Sequence, residues 1–428
     1  MKNITIKPSR LSGTIHIPPS KSMAHRAIIC AFLSEGESRI DNVELSDDII
    51  ATCRAVEALG GDMDILESKI PGRRMLVVRG NGMVSIKRNL IHCGESGTTA
   101  RFIIPITRLN AGEVTVTGDG KLKERPFGVF YELFDSQGIR YQTQDGKLPL
   151  TLNGALNPGS FSMRGDVSSQ FISGLLLTLP LLPGDSTINI TTPLESAGYI
   201  DMTIQMQKRF GVRVDFIREE NRFFIPGWQK YSPQHYQVEG DWSQAAFWLA
   251  AGVFSGPVAI NGLNPDSLQG DKVIEEFLKQ MGANLFWRED LLIAQESRLN
   301  GIKMDVSQCP DLVPVLAVLG SIAEGDTEIY NAARLRMKES DRLRAVTTEL
   351  KALGANIAEN EDSLSIKGKQ RLTGGRVYGW NDHRIVMATA IAASACEKST
   401  TIEGSQAVSK SYPSFWEHYQ GLGGKACE

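Results

Sequence analysis

The segment Ser20-Lys21-Ser22-Met23-Ala24-His25-Arg26 follows a short apolar stretch and opens a longer apolar one. Polar openings of the same kind occur five more times, each between a predicted short strand and a predicted apolar helix. The six openings are anchored at Lys21, Ser96, Ser168, Ser243, Asp311 and His383. Their successive intervals are 75, 72, 75, 68 and 72 residues. A nearly constant interval predicts one supersecondary unit repeated six times.

A second set of markers has the same period. A glycine ends the second predicted helix of every unit, at Gly60, Gly138, Gly211, Gly282, Gly354 and Gly423, with intervals of 78, 73, 71, 72 and 69 residues. Gly211-Val212-Arg213-Val214 is typical, because a glycine that caps a helix is followed by a β-patterned stretch. The predicted unit is therefore strand–helix–strand–helix followed by further strand.

The last repeat is short, since only 46 residues remain from His383 to the end of the chain. We expect the N-terminal strand to complete it. This predicts a lobe I of residues 1–18 and 240–428, which holds units 4–6, and a lobe II of residues 19–239, which holds units 1–3. The chain would cross between them near Pro18-Pro19 and again near residues 231–239. Two crossings permit hinge closure, and we expect the active site in the cleft between the lobes.

Composition and length indicate a globular protein of two or more domains. The 428 residues are 42% apolar and 22% charged. No run of about 18 apolar residues predicts a transmembrane helix, and the N-terminal residues lack the apolar core of a signal peptide. The six cysteines form no CxxC pair, which favours reduced thiols over a disulfide framework or a zinc site. We therefore expect a cytoplasmic protein.

The formal net charge of −3 argues against a nucleic-acid partner or a membrane-surface partner. Any affinity for anions must then come from cations gathered locally. Basic residues do gather at the predicted helix starts, namely Lys21, Arg26, Arg101, Arg125, Lys338, Arg342, Arg384 and Lys410. A cation at a helix N-terminus opposes the helix dipole, so these positions predict a ligand that supplies negative charge. For Ser46, Asp47, Ser243 and Asp271 an ordinary N-cap is the preferred interpretation, and local sequence alone favours the same for Asp311.

Several motifs together resemble the 5-enolpyruvylshikimate-3-phosphate synthase family, over essentially the whole chain and in order. They are Ser20–Arg26, Gly97-Thr98 with Arg101, Glu124-Arg125-Pro126, Ser168-Ser169-Gln170, Lys338-Glu339-Ser340-Asp341-Arg342 and Asp382-His383-Arg384. The resemblance implies an α/β fold of two lobes, each built from three βαβαββ units in an inverse α/β-barrel-like arrangement. It also implies transfer of the enolpyruvyl group of phosphoenolpyruvate to the 5-hydroxyl of shikimate 3-phosphate with release of phosphate. That step belongs to chorismate and aromatic amino acid biosynthesis, and it uses no metal, no cofactor and no covalent enzyme intermediate.

The resemblance also implies roles for residues that match the family's motifs. The implied shikimate 3-phosphate site consists of Lys21, Ser22, Arg26, Ser168, Ser169, Gln170, Ser196, Tyr199, Asp311 and Lys338. The implied phosphoenolpyruvate site consists of Lys21, Gly97, Arg125, Gln170, Arg342, Arg384 and Lys410. Asp311 would be the base at the hydroxyl, Glu339 the acid that protonates the methylene carbon, and Lys21 a catalytic cation that carries charge of the leaving phosphate. A monomer is expected from the resemblance alone.

The chain departs from the family pattern in its glycine loop. Glu95-Ser96-Gly97-Thr98-Thr99 stands where the family commonly has Asn-Ala-Gly-Thr-Ala. The family also commonly has an asparagine shortly before the Lys-Glu segment. Because Asn331 is followed by Ala332-Ala333-Arg334 here, that contact is not carried over.

Two alternative functions compete with this one. UDP-N-acetylglucosamine enolpyruvyl transferase has the same fold, but it relies on a loop cysteine, and this chain has no cysteine between Cys93 and Cys309. A non-catalytic anion-binding relative would not need both Asp311 and Glu339 beside the full basic set. Enolpyruvyl transfer to shikimate 3-phosphate is therefore the preferred hypothesis.

Overall fold

Residues 2–369 and 371–428 are described by the computed structural model of this chain. Their contacts divide the chain into two units. Unit I comprises the residues up to Pro18 and Glu239–Glu428, and unit II is Pro19–Val238. Within the described residues, no helix has both the length and the apolar character that a membrane crossing requires.

The N-terminal segment belongs to unit I and forms two strands, β1 (Asn3–Lys7) and β2 (Gly13–His16). Unit II follows, and its described elements are, in chain order, α1 (Lys21–Leu33), β3 (Glu35–Val43), α2 (Asp47–Ala58), β4 (Asp62–Glu67), β5 (Arg74–Asn81), β6 (Leu90–His92), α3 (Gly97–Thr107), β7 (Val114–Thr117), α4 (Gly128–Gln137), β8 (Arg140–Gln144), β9 (Lys147–Asn153), β10 (Ser160–Met163), α5 (Ser169–Thr178), β11 (Ser186–Ile190), α6 (Ala197–Arg209), β12 (Asp215–Ile217), β13 (Arg222–Ile225) and β14 (His235–Gln237).

The remainder of unit I repeats the same alternation of helix and strand. Its described elements are α7 (Trp242–Ser255), β15 (Val258–Asn261), α8 (Ile274–Gln280), β16 (Asn284–Arg288), β17 (Leu291–Gln295), β18 (Lys303–Asp305), α9 (Val313–Ile322), β19 (Asp326–Tyr330), α10 (Arg342–Ala352), β20 (Asn356–Glu359), β21 (Leu364–Lys367), β22 (Arg376–Tyr378), α11 (His383–Ser394), β23 (Thr400–Glu403), α12 (Phe415–Gly421) and β24 (Lys425–Cys427). Short 3-10 helices lie at Gly120–Glu124, Leu179–Leu181, Arg218–Glu220, Gly270–Val273, Pro310–Leu312, Ala333–Met337 and Ser405–Lys410.

Within residues 2–369 and 371–428, each unit contains three four-stranded sheets of one design. In unit II the strand orders are β14-β3-β5-β4, β6-β7-β9-β8 and β10-β11-β13-β12. The first two strands of each order are parallel, and the remaining pairs are antiparallel. A crossover helix, α3 or α5, joins the parallel pair in the second and third sheets, as parallel strands require. In the first sheet β14, from the end of the unit, takes the place that β6 and β10 hold in theirs.

The sheets of unit I follow the same design and incorporate the N-terminal segment. Their orders are β16-β17-β15-β2, β18-β19-β21-β20 and β22-β23-β1-β24. Strand β1 lies between β23 and β24 and is antiparallel to both, while β2 is parallel to β15. The N-terminal segment therefore completes two sheets, whereas the repeat predicts a single strand there.

One helix of each repeat is buried and forms the core of its unit. In unit II, α1 is buried from Met23 to Leu33, and α3 packs closely on α5. That approach depends on Gly174, because a Cβ there would lie 2.3 Å from the carbonyl oxygen of Arg101. In unit I, α7, α9 and α11 pack against one another in the same way. These buried helices carry the polar openings at their N-terminal ends, so the core fixes the positions of the openings.

We predict that Ile6→Ala destabilises unit I, because Ile6 lies in β1 and is fully buried. The expected loss is about 3 kcal/mol in the free energy of unfolding. Urea unfolding followed by tryptophan fluorescence measures it, since five of the six tryptophans lie in unit I. Lys7→Ala, at the exposed end of the same strand, is the control and should change the unfolding midpoint little. Equal midpoints for both variants would contradict the role assigned to β1.

Candidate active site

Capped helix N-termini occur in both units, as the sequence predicts. Serine hydroxyls cap α1, α3 and α5 of unit II, at Ser20, Ser96 and Ser168. Aspartate carboxylates cap α7, α10 and α11 of unit I, at Asp241, Asp341 and Asp382. Each cap accepts a hydrogen bond from one N–H of the first turn. The other N–H groups of that turn have no partner within their helix, so they can donate to an anion.

The N-cap interpretation is confirmed for Ser46 but not for Asp47, which follows the cap as the first residue of α2. Ser46 caps α2 through its hydroxyl. The N-cap interpretation is wrong for Ser243 and Asp271, whose buried side chains hydrogen bond to each other. Burial and the charge of Asp311 raise the pKa of Asp271 to about 7. Residue type alone does not reveal whether a polar side chain turns back onto its own helix or reaches a neighbouring element.

Arg342 is the centre of a charged cluster in unit I, and its side chain is only 1% exposed. Its Nε lies 2.8 Å from Oδ2 of Asp382, its Nη1 2.8 Å from Oδ1 of Asp311 and its Nη2 2.7 Å from Oε2 of Glu339. Burial disfavours the positive charge, but these carboxylates outweigh it and raise the pKa of Arg342 above its ordinary value. One planar guanidinium thus fixes the predicted base and the predicted acid.

Asp311 accepts hydrogen bonds from three cationic side chains. Arg342 Nη1 and Lys338 Nζ lie 2.8 and 3.3 Å from its Oδ1, and Arg384 Nη2 lies 3.0 Å from its Oδ2. Burial would raise the pKa of Asp311, but the charges of Arg384, Lys338 and Arg342 outweigh it and hold the pKa well below its ordinary value. The Asp311 side chain caps no helix, so the N-cap interpretation is wrong here also. It is an ionised carboxylate at neutral pH and remains 18% exposed.

Two lysines border this cluster. Lys338 directly precedes Glu339, and burial lowers its pKa, helped by the charge of Arg342 and opposed by the carboxylate of Asp311. Lys410 is buried at the end of a 3-10 helix, and its Nζ donates a 2.7 Å hydrogen bond to the carbonyl of Asn381. Because Asn381 directly precedes the N-cap of α11, Lys410 lies near the start of the helix that carries Arg384.

In unit II, Lys21 is the first residue of α1 and pairs with a carboxylate. Its Nζ donates to Oδ2 of Asp48 at 2.7 Å, and the two side chains are 17% and 15% exposed. Asp48 lies in the first turn of α2. The ion pair therefore joins the openings of two neighbouring helices, and both charges remain accessible to solvent.

Gln170 connects the start of α5 to the start of α3. Arg101 Nη1 donates to its Oε1 at 2.7 Å, and its Nε2 donates to the hydroxyl of Thr98 at 2.8 Å. The Arg101 guanidinium also lies 5.0 Å from the centre of the Phe171 ring, a cation–π distance. Arg101, which the sequence identified only by its charge, therefore positions the predicted ligand Gln170.

Arg26 connects α1 to α6 and is 1% exposed. Its Nη1 donates to the carbonyl of Ser22 at 2.7 Å, its Nη2 to the carbonyl of Tyr199 at 2.8 Å and its Nε to the hydroxyl of Thr203 at 2.8 Å. Ser196, at the N-cap of α6, has φ 54°, an uncommon left-handed conformation for a residue with a side chain. Arg26 thus holds Ser22 and Tyr199 in place, and its direct binding of a ligand stays a prediction.

Gly97 begins α3 and lies against two guanidinium groups. A Cβ at this position would lie 2.6 Å from Nη1 of Arg125 and 3.1 Å from Nη1 of Arg101. Arg125 is only 7% exposed, so it has little room to move aside. The absence of a side chain at Gly97 therefore lets an arginine approach the free N–H groups of a helix start.

The predicted site residues fall into two groups, one in each unit. Hydrogen bonds join the unit I group of Asp311, Lys338, Glu339, Arg342 and Arg384, and Lys410 lies beside α11. The unit II group lies at or near the starts of α1, α3, α5 and α6, and consists of Lys21, Ser22, Arg26, Gly97, Arg125, Ser168, Ser169, Gln170, Ser196 and Tyr199. The structure thus places every predicted residue at or near a helix opening.

Two carboxylates that pair with predicted cations, Asp48 and Asp382, were not identified from the sequence. Asp382 is fully buried, accepts from Arg342 and also accepts from the hydroxyl of Ser340 at 3.0 Å. The predicted ligand Arg342 was a signal that such a carboxylate exists, because a buried guanidinium requires nearby carboxylates. The partner of Arg342 could not be chosen among many acidic residues without the fold, since Asp382 lies 40 positions away.

Comparisons with known proteins agree with this arrangement. The family model described as EPSP synthase (3-phosphoshikimate 1-carboxyvinyltransferase) matches residues 5–419. The chain belongs to the EPSP synthase family. The family prediction from the motifs is therefore confirmed.

Individual members of the EPSP synthase family extend the comparison. A protein of Clostridium kluyveri named 3-phosphoshikimate 1-carboxyvinyltransferase is 51% identical over 428 residues, which is 100% of this chain and 99% of the relative. A Clostridium novyi protein of the same name is 50% identical and covers 99% of this chain and 98% of the relative. The structure of EPSP synthase from Acinetobacter baumannii is 26% identical, with a TM-score of 0.82 and full coverage of both chains. The predicted transferase class and the predicted two-lobed α/β fold are confirmed.

We predict that Gly97→Ala weakens binding of phosphoenolpyruvate, the anion expected at this loop, by about tenfold. The new methyl group would displace Arg125, and a charge-assisted hydrogen bond of the order lost here is worth about 1.5–3 kcal/mol. Isothermal titration calorimetry with phosphoenolpyruvate measures the change. Gly128→Ala is the matched control, because a Cβ at Gly128 meets no atom within 4 Å. An unchanged affinity in Gly97→Ala would refute the close approach of Arg125.

Proposed function

We propose that this chain transfers the enolpyruvyl group of phosphoenolpyruvate to the 5-hydroxyl of shikimate 3-phosphate and releases phosphate. The observation that carries the proposal is the cluster in which Arg342 holds Asp311 and Glu339 at 2.8 and 2.7 Å. Addition of an alcohol to the enol phosphate needs a base at the hydroxyl and an acid at the methylene carbon. The cluster presents two partly exposed carboxyl groups on one guanidinium, beside additional cations.

Asp311 is proposed as the base. Its ionised carboxylate can accept the proton of the 5-hydroxyl as the oxygen attacks C2 of phosphoenolpyruvate. Lys338, 3.3 Å from Asp311, can hold the same hydroxyl or the neighbouring phosphate. The proton that leaves the hydroxyl therefore has a defined acceptor.

Glu339 is proposed as the acid. Protonation of the methylene carbon turns phosphoenolpyruvate into an electrophile at C2, so the acid must be held against that carbon. The bond from Arg342 fixes one carboxyl oxygen, and the other can carry the proton. The Glu339 carboxylate then takes back a proton from the resulting methyl group as phosphate departs, which restores the carbon–carbon double bond and forms the enol ether of the product.

The cations are proposed to hold the two anionic substrates. Arg342, Arg384, Lys410 and Arg125 would bind phosphoenolpyruvate together with the N–H groups at Gly97, while Lys21 would carry charge of the leaving phosphate. The unit II residues Ser22, Arg26, Ser168, Ser169, Gln170, Ser196 and Tyr199 would bind shikimate 3-phosphate. Preorganised cations offset the repulsion between two polyanions.

The remaining parts of the proposal concern the state of the protein. We propose a cytoplasmic monomer that acts on small molecules, without a nucleic-acid or membrane partner. The net charge of −3 argues against a nucleic-acid or membrane partner, and the monomer follows from the family resemblance alone. Transfer to UDP-N-acetylglucosamine is disfavoured, because relatives about 50% identical over the whole chain are named 3-phosphoshikimate 1-carboxyvinyltransferase.

The proposal predicts phosphate release with phosphoenolpyruvate and shikimate 3-phosphate, and none with UDP-N-acetylglucosamine in its place. A chelator is present in both reactions. Asp311→Asn should lower kcat by about 10²- to 10⁴-fold, since the base is lost while the shape is kept. Asp266→Asn, at an exposed aspartate of unit I, is the matched control and should retain the rate of the unmodified chain.

Other outcomes would reject specific parts of the proposal. Turnover only with the sugar nucleotide would make the acceptor wrong. Full activity in Asp311→Asn would make the base assignment wrong. Tight binding of both substrates without any turnover by the unmodified chain would favour the non-catalytic alternative.

A further inference from the structure

A line of hydrogen bonds runs through the interior of unit II and ends at the N-cap of α3. His25 Nδ1 lies 2.7 Å from the hydroxyl of Thr52, and that hydroxyl lies 2.7 Å from the hydroxyl of Thr99. The Thr99 hydroxyl in turn donates to the hydroxyl of Ser96 at 2.8 Å. All four residues are at most 1% exposed.

These four residues connect α1 and α3, whose openings carry predicted anion ligands, through α2, whose first turn carries Asp48. His25 lies one turn after Lys21 in α1, Thr52 lies one turn after Asp48 in α2, and Thr99 lies in the first turn of α3. Lys21 and Asp48 form the ion pair that joins α1 and α2 at the surface. The interior line is thus a second connection between α1 and α2, one turn further along both helices, and it continues to α3.

The donors and acceptors along the line have one consistent order. The Thr99 hydroxyl donates to Ser96 Oγ at 2.8 Å, with the carbonyl of Asp48 as a second acceptor at 3.4 Å, and with either acceptor its hydrogen is used, so Thr52 donates to Thr99. Thr52 then has no hydrogen left for His25, so His25 must donate from Nδ1. Burial lowers the pKa of His25 well below its ordinary value, and the charges of Lys21 and Arg26 lower it further. His25 is therefore neutral, with its hydrogen on Nδ1.

The end of the line controls the geometry of a helix start. Ser96 Oγ accepts from the backbone N–H of Thr99 at 3.2 Å while it accepts from the Thr99 hydroxyl. These two bonds fix the rotamer of the cap and hence the direction of the N–H groups that follow it. Gly97, which lies against Arg125, is the next residue.

We propose that His25, Thr52 and Thr99 form a positioning relay that orients Ser96 and thereby sets the affinity of the α3 start for the phosphoenolpyruvate anion. This inference rests on the proposed function, because it assigns that anion to the loop. The three relay residues act through Ser96 and do not touch the ligand. Their effect is therefore on substrate affinity, and the chemical step at Asp311 and Glu339 is left unchanged.

Thr52→Val tests the relay, because valine keeps the shape of threonine and removes the hydroxyl. The expected result is a rise of about fivefold in KM for phosphoenolpyruvate, with kcat and KM for shikimate 3-phosphate nearly unchanged. Thr52→Ser restores a hydroxyl and should restore KM.

Thr178→Val is the matched control. Its hydroxyl is fully buried and donates only within α5, to the carbonyl of Gly174 at 2.8 Å, away from the relay. A merely structural role for Thr52 predicts that Thr52→Val and Thr178→Val lower the melting temperature alike and leave KM alone. That result would overturn the relay.

Thr99→Val breaks the relay at its next link and provides a second, independent variant. If the relay acts as one unit, the double variant Thr52→Val/Thr99→Val has about the KM of Thr99→Val alone. Multiplication of the two separate effects would overturn the inference. Turnover by the unmodified chain is measured first, so a failure of the proposed function is distinguished from a failure of the relay.

Discussion

The guanidinium of Arg342 is buried among the carboxylates of Asp382, Asp311 and Glu339, and the arrangement of unit I depends on keeping that charge compensated. A buried ion pair that loses one partner leaves an uncompensated charge, which typically costs about 3–5 kcal/mol. The start of α10 must therefore stay against the start of α11, which supplies Asp382. Asp311 is drawn to the same group from a 3-10 helix before α9. The openings of three helices, which belong to two successive repeats, are thus joined by one side chain.

Cations are also compensated in unit II, but with fewer charged partners and with more hydroxyl and carbonyl groups. Lys21 and Asp48 compensate each other at the helix openings, and Arg26 is satisfied by two carbonyls and a hydroxyl. A cation held by several acceptors keeps its position at the helix opening and cannot turn away into solvent. Such cations are preorganised before a ligand arrives, and preorganisation is the main way in which a protein lowers the cost of stabilising new negative charge.

Local chemistry made the helix openings predictable, and long-range pairing made the rest unpredictable. Polar anchors such as Lys21 and His383 coincide with the observed starts of α1 and α11, because N-caps and the apolar face after them are encoded within a few residues. The sequence could not show that β14 completes the first sheet of unit II, or that β2 joins β15. Those pairings join residues about 200 or more positions apart, and many short strands have equivalent patterns.

The candidate site shows the same division. The basic residues stood out because they oppose the helix dipole, and all of them lie at or near openings. Their partners did not stand out, since Asp48 and Asp382 look like ordinary first-turn or N-cap acids. In the glycine loop, Ser96 and Thr99 were visible as departures from the family segment. Their hydrogen bonds to Thr52 and His25 depend on how α1, α2 and α3 pack, which no local pattern states.

In the proposed reaction, the charges around Asp311 allow one carboxylate to be firmly held and still to act as the base. The charges of Arg384, Lys338 and Arg342 hold its pKa well below the ordinary value, which makes it a weak base in the absence of a ligand. Anions bound to the same cations cancel part of that field, so the pKa of Asp311 rises as the site fills. A group whose pKa rises toward neutrality becomes a better proton acceptor. The cations therefore orient Asp311 at all times, while its basicity increases when both the hydroxyl and the anion to be attacked are in place.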